Sequence, residues 1–385
     1  DLERTGVTTQ VMAQQTRNVA GLVTKRRTDQ VAATGPMPWI ESNWAYDTLG
    51  RVTSQTVQKG ANAGGATEQV AQQVLAYLGN DDPDSMVHTL GASGTNANAK
   101  TYAFGYDWRH QLTNTTVTQA AYGVAPYATT SGTAFAGTYD YGNAGRLKKA
   151  NVGAGLGPMA GGEVKTRNVD YCYDPVDKER VVALKTAAAT PCTGAAYATY
   201  AYDDAGNQTQ RAYPAGSAPT SPSGSGSAET FDYVYDGDDR LRRVTKKVAG
   251  AVVASEEYWY DEQGARVGVL TRDSAGTKQE LRWFIGDTQA HYDAAGVVTN
   301  VYSHLSLGTP IARVERTGNT TTAVEYQFHG LASNTIAAVG ADGIVKANLA
   351  YAPYGELIEG QQPAGPAAGL AAHPRRMNDK YIDDL

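Results

Sequence analysis

The sequence is short of the residues that fill a conventional hydrophobic core. Leu, Ile, Val and Phe together make up 64 of 385 residues, about 17%, which is below the level of about 20% at which disorder is expected. Disorder also requires a high net charge, and the formal net charge is only -6. Large side chains come instead from 24 Tyr, against 5 Phe and 5 Trp. Because Tyr buries a ring but keeps a hydroxyl that needs a partner, these counts predict a folded protein with aromatic, partly polar packing.

Further absences exclude several classes of protein. No run approaches 18 consecutive apolar residues, so no membrane span is expected. No charged and then apolar leader follows Asp1, so no signal peptide is visible. The mildly acidic balance argues against a nucleic-acid binder. Two cysteines, Cys172 and Cys192, are too few for a disulfide scaffold or a four-ligand zinc site; they can pair with each other or stay reduced.

Motifs for catalysis, metals and cofactors are also missing. The sequence has no HExxH, GxSxG, GxGxxG or P-loop pattern, and its six scattered histidines are expected at surface or turn positions. Acidic clusters at residues 81–84, 236–239 and 256–257 are expected to be solvated turns, since the EF-hand pattern is absent. We therefore expect no enzyme activity, no cofactor and no metal ion.

What the sequence does contain is a repeat centred on Tyr-Asp. The first eight units begin 25 to 35 residues apart, except for a first step of 60 that corresponds to two units, so the period is about 30, as in stacked repeat architectures. The repeat positions are Tyr46, Asp47, Gly50 and Arg51; Tyr106 and Asp107; Tyr141, Gly145 and Arg146; Tyr173 and Asp174; Tyr202, Asp203 and Gly206; Tyr235, Asp236 and Arg240; Tyr260, Asp261 and Gly264; Tyr292, Asp293 and Gly296; and Tyr351, Tyr354 and Gly355.

The local chemistry of each unit predicts a β-hairpin. Asp favours the first position of a type I turn and Gly the position three residues later, the spacing of Asp47 and Gly50. The flanking residues alternate with period two, which is the pattern of strands. Hairpins side by side share cross-strand aromatic contacts, and strands twist with a fixed hand. We therefore expect one long antiparallel sheet that curls.

Between the units, Gly-, Ala-, Ser- and Pro-rich segments are predicted loops. They cover residues 60–66, 91–99, 150–162, 213–228 and 360–374. Two structures are possible for the stretch Ala66–Gly79. Its apolar residues at spacing four fit a short helix, and a strand that contains Val74 to Leu78 is the alternative. Residues 1–385 are predicted to form a single repeat array.

These units resemble the YD repeats of Rhs (rearrangement hotspot) proteins. Those repeats are similar to the repeats of Tc toxin B and C components, bacterial wall-associated YD proteins and animal teneurins. The resemblance covers about residues 40–360, and residues 350–360 look like the stretch just before the end of an Rhs core. Residues 375–385, RRMNDKYIDDL, resemble the opening of the core-associated motif at which family members cut themselves. That self-cleavage motif is expected to lie beyond Leu385, so Asp383 and Asp384 receive no catalytic role.

The resemblance implies an all-β fold, in which repeated antiparallel hairpins form a long spiralling sheet as part of a hollow YD-repeat shell. It implies a structural function: the shell of a bacterial polymorphic toxin encloses a C-terminal toxin polypeptide and carries it for delivery. The implied partners are the enclosed toxin, the remaining shell segments and a secretion-system or toxin-complex component, and the implied location is outside the producing cell.

Two other functions stay open. One is an extracellular adhesion or carbohydrate-binding YD-repeat module, which exposed aromatic faces would favour. The other is an enzyme whose site lies inside the sheet, which a cavity with two converging carboxylates would favour. The arginine after each turn can bind polyanions, but such residues more often pair with a neighbouring Asp or cover an aromatic ring.

Overall fold

The computed structural model describes most of the chain as strands. The described residues are 9–32, 39–60, 67–90, 99–121, 131–153, 166–216, 226–306, 310–318, 320–330, 334–340, 345–354 and 357–361. They form 26 β-strands in one sheet and no helix, which confirms the predicted all-β array of hairpins. Accordingly, these ranges hold no helix capable of spanning a membrane. The single domain over residues 1–385 stays a prediction.

Each strand pairs antiparallel with the next strand along the chain. The strands are β1 (Thr9–Arg17), β2 (Val23–Ala32), β3 (Trp39–Tyr46), β4 (Val52–Gly60), β5 (Thr67–Tyr77), β6 (Pro83–Leu90), β7 (Ala99–Tyr106), β8 (Leu112–Gln119), β9 (Gly132–Tyr141), β10 (Leu147–Gly153), β11 (Arg167–Tyr173), β12 (Val181–Thr186), β13 (Ala196–Tyr202), β14 (Gln208–Tyr213), β15 (Glu229–Tyr235), β16 (Leu241–Val248), β17 (Ala251–Tyr260), β18 (Arg266–Asp273), β19 (Lys278–Ile285), β20 (Thr288–Tyr292), β21 (Val298–Ser306), β22 (Pro310–Thr317), β23 (Thr320–His329), β24 (Thr335–Gly340), β25 (Val345–Tyr351) and β26 (Leu357–Gln361).

The turn between β17 and β18 shows how a YD unit reverses the chain. The amide of Asp261 donates to the carbonyl of Ala265 at 2.9 Å, and the amide of Gly264 donates to the carbonyl of Asp261 at 3.1 Å. The Asp261 carboxylate accepts further bonds from the amides of Gln263 and Ala265. Gly264 has φ +81°, the left-handed conformation that closes a type I turn with a bulge. The same backbone pattern recurs in the turns that start at Asn18, Asp47, Leu78, Asp107, Gly142, Asp203, Asp236, Asp273 and Asp293.

The turns at Asn18 and Leu78 are not among the predicted units because they lack the Tyr-Asp pair. The β1–β2 turn has Asn18 in place of Asp, and its side-chain oxygen accepts the same amide bonds. The β5–β6 turn begins at Leu78 after Tyr77. Tyr77 lies between Tyr46 and Tyr106 in the chain, and it divides the first step of 60 residues into two units, as predicted.

The open choice for residues 66–79 is resolved in favour of the strand. Thr67–Tyr77 is β5, paired with β4 and β6, so the helix alternative is wrong. Val70 and Ala71 are both fully buried, whereas Val74 is 41% exposed. A helix would place these three residues on one face, but the register shift between β4 and β5 explains two adjacent buried residues in a strand. Sheet pairing therefore overrides the helical spacing of the apolar residues.

The predicted loops were too long at some of their ends. Residues 150–153 belong to β10, Tyr213 ends β14, and residues 360–361 belong to β26. The central parts of all five predicted loops lie outside the described residues, as do Gly355 and the RRMNDKYIDDL segment at 375–385.

The sheet rolls up on one of its faces, which we call the tyrosine face. It carries Tyr46, Tyr77, Tyr106, Tyr141, Tyr173, Tyr202, Tyr235, Tyr260 and Tyr351, as strand alternation and register place them. Ile40 and Val57, on the tyrosine face of β3 and β4, pack in one cluster with Ala312, Phe328 and Ala337 of β22–β24. Those late residues lie on the opposite face of their strands. The late strands therefore lie inside the curl of the early ones, and the sheet spirals.

The core formed in this way is aromatic and partly polar, as the composition predicts. Tyr102, Phe135, Phe231 and Tyr326 are almost completely buried. Buried polar residues accompany them, including Gln55, Gln73, Lys100, Glu229 and Glu256. A single-layer sheet packs along its face instead of filling a thick interior, so few aliphatic residues are enough.

The YD turn requires a residue that adopts a positive φ, and this requirement can be tested at Gly264. An added Cβ at Gly264 meets no atom within 4 Å, so Gly264→Ala introduces only conformational strain, expected to lower the free energy of unfolding by about 1 kcal/mol. Gly237, in the β15–β16 turn, is equally open but has no positive φ. Gly237→Ala is the matched control and should leave stability unchanged or slightly higher. Equal urea denaturation midpoints for the two variants would contradict this account of the turn.

Candidate functional site

The most regular feature of the molecule is a tyrosine hydrogen bond, here called the tyrosine tie, that joins many of the hairpins to the previous one. The hydroxyl of Tyr202, at the end of β13, donates to the carbonyl of Val181, the first residue of β12, at 2.7 Å. In each case the tyrosine is the last residue of the first strand of a hairpin, and the acceptor is the first residue of the second strand of the hairpin before it. Among the described residues this bond is made by Tyr46, Tyr77, Tyr141, Tyr173, Tyr202, Tyr235, Tyr260 and Tyr351. The repeated tyrosine therefore gives its hydroxyl the partner that burial requires.

The arginine that follows a turn covers the tyrosine of the next hairpin. The Arg180 guanidinium lies 5.0 Å from the centre of the Tyr202 ring, and Arg51, Arg146 and Arg240 lie in the same way over Tyr77, Tyr173 and Tyr260. Cation–π contacts of this kind contribute about 0.5–1 kcal/mol each at exposed sites.

These arginines also form ion pairs along the turns. Arg51 Nε lies 2.6 Å from Asp47 of its own turn, and Arg51 Nη1 lies 2.6 Å from Asp81 of the next turn. Arg240 pairs with Asp236 and Asp238. The charges of these arginines are therefore matched within the sheet, and they are not a free basic surface for a polyanion.

Not every predicted repeat residue takes part in the tie. Tyr292 ends β20, whose turn to β21 lies at the opposite edge of the sheet, and its side chain lies on the face opposite to the tyrosine face. Its hydroxyl has no hydrogen-bond partner among the described residues. Tyr354, in the β25–β26 turn, reaches across the spiral instead: its hydroxyl is 2.7 Å from that of Tyr141, and its ring packs edge-on against Tyr139.

Turn geometry also changes the pKa values of the repeat residues. The backbone amide of Arg240 hydrogen-bonds to Asp236 and, against the opposing effect of burial, holds the pKa of that carboxyl below its usual value. Asp174 has a lowered pKa because the amides of Asp177 and Val176 bind it. Burial raises the pKa of Tyr106 to about 12. The turn carboxylates are thus held ionised, and the half-buried phenol of Tyr106 is held neutral.

The acidic pair at residues 256–257 is a correction to the sequence analysis, which expected a solvated turn. Both residues lie within β17, and Glu256 is fully buried. Its carboxylate lies 2.6 Å from Arg282 of β19 and accepts a 2.7 Å hydrogen bond from Tyr258. Burial of Glu256 is tolerated because its carboxylate has both a cation and a hydroxyl donor as partners. The cation, Arg282, lies 26 positions later in the chain, so no local pattern in the sequence indicates the pair.

A second carboxylate, that of Glu280, converges on the same arginine. Glu280 lies 3.8 Å from Arg282 Nε, and one of its oxygens lies 2.6 Å from His291. The hydrogen bond with His291 lowers the pKa of Glu280, whereas a general acid needs a raised pKa. The cluster is best explained as a compensated charge network on the tyrosine face.

Histidines are also placed differently from the surface or turn positions expected. His88 and His304 are buried within β6 and β21, and burial together with Lys100 lowers the pKa of His88 to about 3. His110 does lie in a turn, with φ +63°, whereas His373 lies outside the described residues. Within the described ranges, His, Cys, Asp and Glu form no group of three or more that could hold a metal ion.

The two cysteines form a disulfide, which resolves the alternatives left open by the sequence. Cys172 of β11 is bonded to Cys192 in the connection between β12 and β13, with Cα atoms 5.7 Å apart. The Cys192 amide donates to the Asp170 carboxylate at 3.1 Å. The bond joins a turn to the neighbouring strand on the face opposite to the tyrosine face.

Comparison with known proteins gives matches only among solved structures. No protein-family model and no curated protein matches the sequence. The Tc holotoxin pore of Photorhabdus luminescens is similar over 96% of this chain and 21% of that chain, with 13% identity and a TM-score of 0.37. A TcdB2–TccC3–TEV crystal structure is similar over 97% of this chain and 25% of that one, with 11% identity and a TM-score of 0.29. A porin-like protein from Bacteroides uniformis is similar over 76% and 95%, with 11% identity and a TM-score of 0.21.

The fold expected from the YD units is confirmed, since the units form consecutive antiparallel hairpins of one spiralling sheet. The chain spans between a fifth and about a quarter of the length of the Tc toxin chains that it matches.

The tyrosine tie predicts a stability loss from removing one oxygen atom. Tyr202→Phe keeps the ring under Arg180 but leaves the Val181 carbonyl without its donor, and it should lower the free energy of unfolding by about 1 kcal/mol. Tyr292→Phe is the matched control and should leave stability unchanged. Thermal or urea denaturation measures both, and a Tyr202→Phe protein as stable as the wild type would show that the tie adds nothing.

The lowered pKa of Asp236 predicts part of the acid sensitivity. A carboxyl whose pKa is lowered by folding contributes stability that is complete above its unfolded pKa and is lost as the pH falls through its folded pKa. Asp236→Asn keeps an acceptor oxygen, as Asn18 does in its turn, but has no proton to bind. We expect urea denaturation midpoints of this variant to fall less steeply than those of the wild type below about pH 4. Asp204→Asn, at an exposed turn position without a recorded hydrogen bond, is the control; the same slope for Asp236→Asn and wild type would contradict the assignment.

Proposed function

We propose that this chain is part of a structural shell that encloses and carries a C-terminal toxin polypeptide. The observation that carries the proposal is the roll of the sheet, in which the tyrosine face of β3 and β4 covers the late strands β22–β24. The β25–β26 hairpin packs in the same way, with Ala352 and Ile358 against the tyrosine face of β7–β10. A sheet rolled in this way is a curved wall with one concave face.

The wall is built to hold its curvature without a thick core. Eight hairpins are joined to the previous one by a tyrosine hydroxyl and, at several turns, by an arginine over the tyrosine ring. Because all the ties lie on one face, they join neighbouring hairpins on the concave side. A wall of this kind can be lengthened by adding hairpins, which suits a container whose size follows the number of repeats.

The concave face supports a role as container more than as a tight binding surface. Its buried polar residues include the Glu256–Arg282 pair and the Arg313–Glu325 pair. Paired charges break up the apolar surface of this face, so it offers a cargo little continuous apolar area. The proposal assigns no catalytic role to the described residues.

The disulfide supports delivery outside the producing cell. Disulfides persist in oxidising compartments and are rare in the cytosol of mesophiles, and Cys172–Cys192 closes a segment with a sequence separation of 20. Such a closure stabilises a fold by about 3 kcal/mol in the chain-entropy description. Assembly with further shell segments and with toxin-complex components belongs to the same proposal.

Protease protection tests the proposal on the full-length protein that contains this chain. Trypsin is added to the native protein, and mass spectrometry follows fragments from the polypeptide after Leu385. We expect that polypeptide to survive protease concentrations that digest the same polypeptide expressed alone. Phe328→Ala, which removes a buried ring from the contact between late and early strands, should reduce the protection. Equal digestion of the enclosed and the isolated polypeptide would contradict enclosure.

A further inference from the structure

Two tryptophans lie next to each other on the face of the sheet opposite to the tyrosine face, which we call the outer face. Trp259 of β17 and Trp283 of β19 are both paired with Gly268 of the intervening strand β18. Their side chains are on the outer face, because the neighbouring Tyr258 packs in one cluster with Tyr260 of the tyrosine face.

Gly268 allows the two indole rings to form one surface. A Cβ at this position would lie 2.9 Å from Trp259 Cε3 and 3.0 Å from Trp283 Cε3 and Cζ3. Both rings therefore occupy the space above the same glycine. Trp283 is 38% exposed and Trp259 is half-buried, so part of this aromatic surface faces solvent, and contiguous surfaces of this kind mark binding sites.

An arginine ends the row of residues that contains the two tryptophans. Strand pairing continues this row from Trp283 across β20 and β21 to Arg316 of β22. The early strands cover the outer face at Ala312, near the start of β22, whereas Arg316 is partly exposed. In the part of the chain that the structure describes, no hydrogen bond or ion pair engages the Arg316 guanidinium.

A second arginine lies on the other side of the tryptophans. Arg243 of β16 is exposed and lines a shallow depression of about 260 Å³ together with Val234 and Trp259. Its cross-strand neighbour is Glu257, but the Glu257 carboxylate is paired with Arg272 at 3.1 Å. Like Arg316, Arg243 has no hydrogen-bond or ion-pair partner among the described residues.

The outer face is thus locally positive, although the chain has a net charge of -6. In strands β17–β22, Glu257 is the one described carboxylate that strand alternation places on this face. Three arginines, Arg243, Arg272 and Arg316, accompany this single carboxylate. The complementary ligand is therefore anionic.

The spacing of the two unpaired arginines favours an elongated ligand with few charges. Between β16 and β22 there are six strand spacings of about 4.8 Å, which amount to about 29 Å along the sheet. A nucleic acid has a charge on every nucleotide and requires a continuous basic track, which two arginines so far apart do not supply. A polysaccharide with carboxylates on some of its sugar units matches the sparse cations.

The chemistry of the side chains agrees with this ligand class. An indole ring offers a flat apolar face, on which the apolar face of a sugar ring can pack. The planar guanidinium of an arginine binds a carboxylate through two parallel hydrogen bonds. An uncharged polysaccharide would use the tryptophans but would leave Arg243 and Arg316 without partners.

We propose that the outer face of β16–β22 binds an acidic polysaccharide. Sugar rings pack on Trp259 and Trp283, and carboxylates of the polymer pair with Arg243 and Arg316. The inference rests on the proposed function in one respect: a shell delivered outside the producing cell meets the polysaccharides of cell surfaces with its outer face.

The test is calorimetric titration of the intact chain with hyaluronan and with polygalacturonate. Dextran serves as the uncharged polysaccharide and single-stranded DNA as the competing polyanion. We expect saturable binding of at least one of the two acidic polysaccharides, and binding of dextran and DNA that is weaker by roughly tenfold or more. The binding should weaken as the salt concentration rises, because the ion pairs lie at the surface.

Variants with matched controls connect the binding to the outer face. Trp283→Ala should weaken the binding by roughly tenfold, whereas Trp108→Ala, at a turn tryptophan that is 86% exposed, should not change it. Arg316→Gln should also weaken the binding, whereas Lys178→Gln, which removes an exposed cation in another turn, should not. Arg316→Gln should melt at the temperature of the wild type, since Arg316 has no partner to lose, so this variant decides the result if Trp283→Ala fails to fold.

Four results would each overturn the proposal: no saturable binding of either acidic polysaccharide, equal binding of dextran, tighter binding of single-stranded DNA, or full binding by Arg316→Gln. Failure here is distinguishable from failure of the shell role, because protease protection of the polypeptide after Leu385 is measured without any polysaccharide.

Discussion

The rest of the structure depends on the hydrogen bond that eight tyrosines donate to the backbone of the preceding hairpin. A single-layer sheet with few aliphatic residues has no thick core to hold its strands in place. The Tyr202 hydroxyl and the Val181 carbonyl, 2.7 Å apart, satisfy two polar groups and join two hairpins in one contact. Because the bond recurs on one face and at one edge, neighbouring hairpins are joined repeatedly on the concave side.

Features of this structure that depend on neighbouring residues could be predicted from the sequence, whereas features that depend on residues far apart in the chain could not. The YD turns are local, because Asp261 and Gly264 lie three positions apart and the turn chemistry needs little else. A turn with Asn18 in place of Asp folds identically, which a search for Tyr-Asp cannot find. The Tyr-Asp pair at Tyr292 fits the pattern, but its turn lies at the other edge of the sheet and the tie is absent there.

Features that depend on register or on the roll could not be predicted. The buried Glu256 owes its stability to Arg282, whose position opposite it follows from the order of the strands and not from any local signal. The contact between early and late strands is more remote still, since Gln55 and His329 are hydrogen-bonded but 274 positions apart in the chain. The same long-range packing gives the molecule its concave face, so the proposed function depends on the sheet being rolled.

Small-angle X-ray scattering of the purified chain tests that central claim most directly. A rolled sheet of this length should have a radius of gyration of about 20–25 Å, near the value for a compact chain of 385 residues. At a strand spacing of about 4.8 Å, an unrolled sheet of 26 strands would be about 120 Å wide and would have a radius of gyration of about 35 Å. The smaller value supports a rolled wall tied along one face, and the larger value would contradict it.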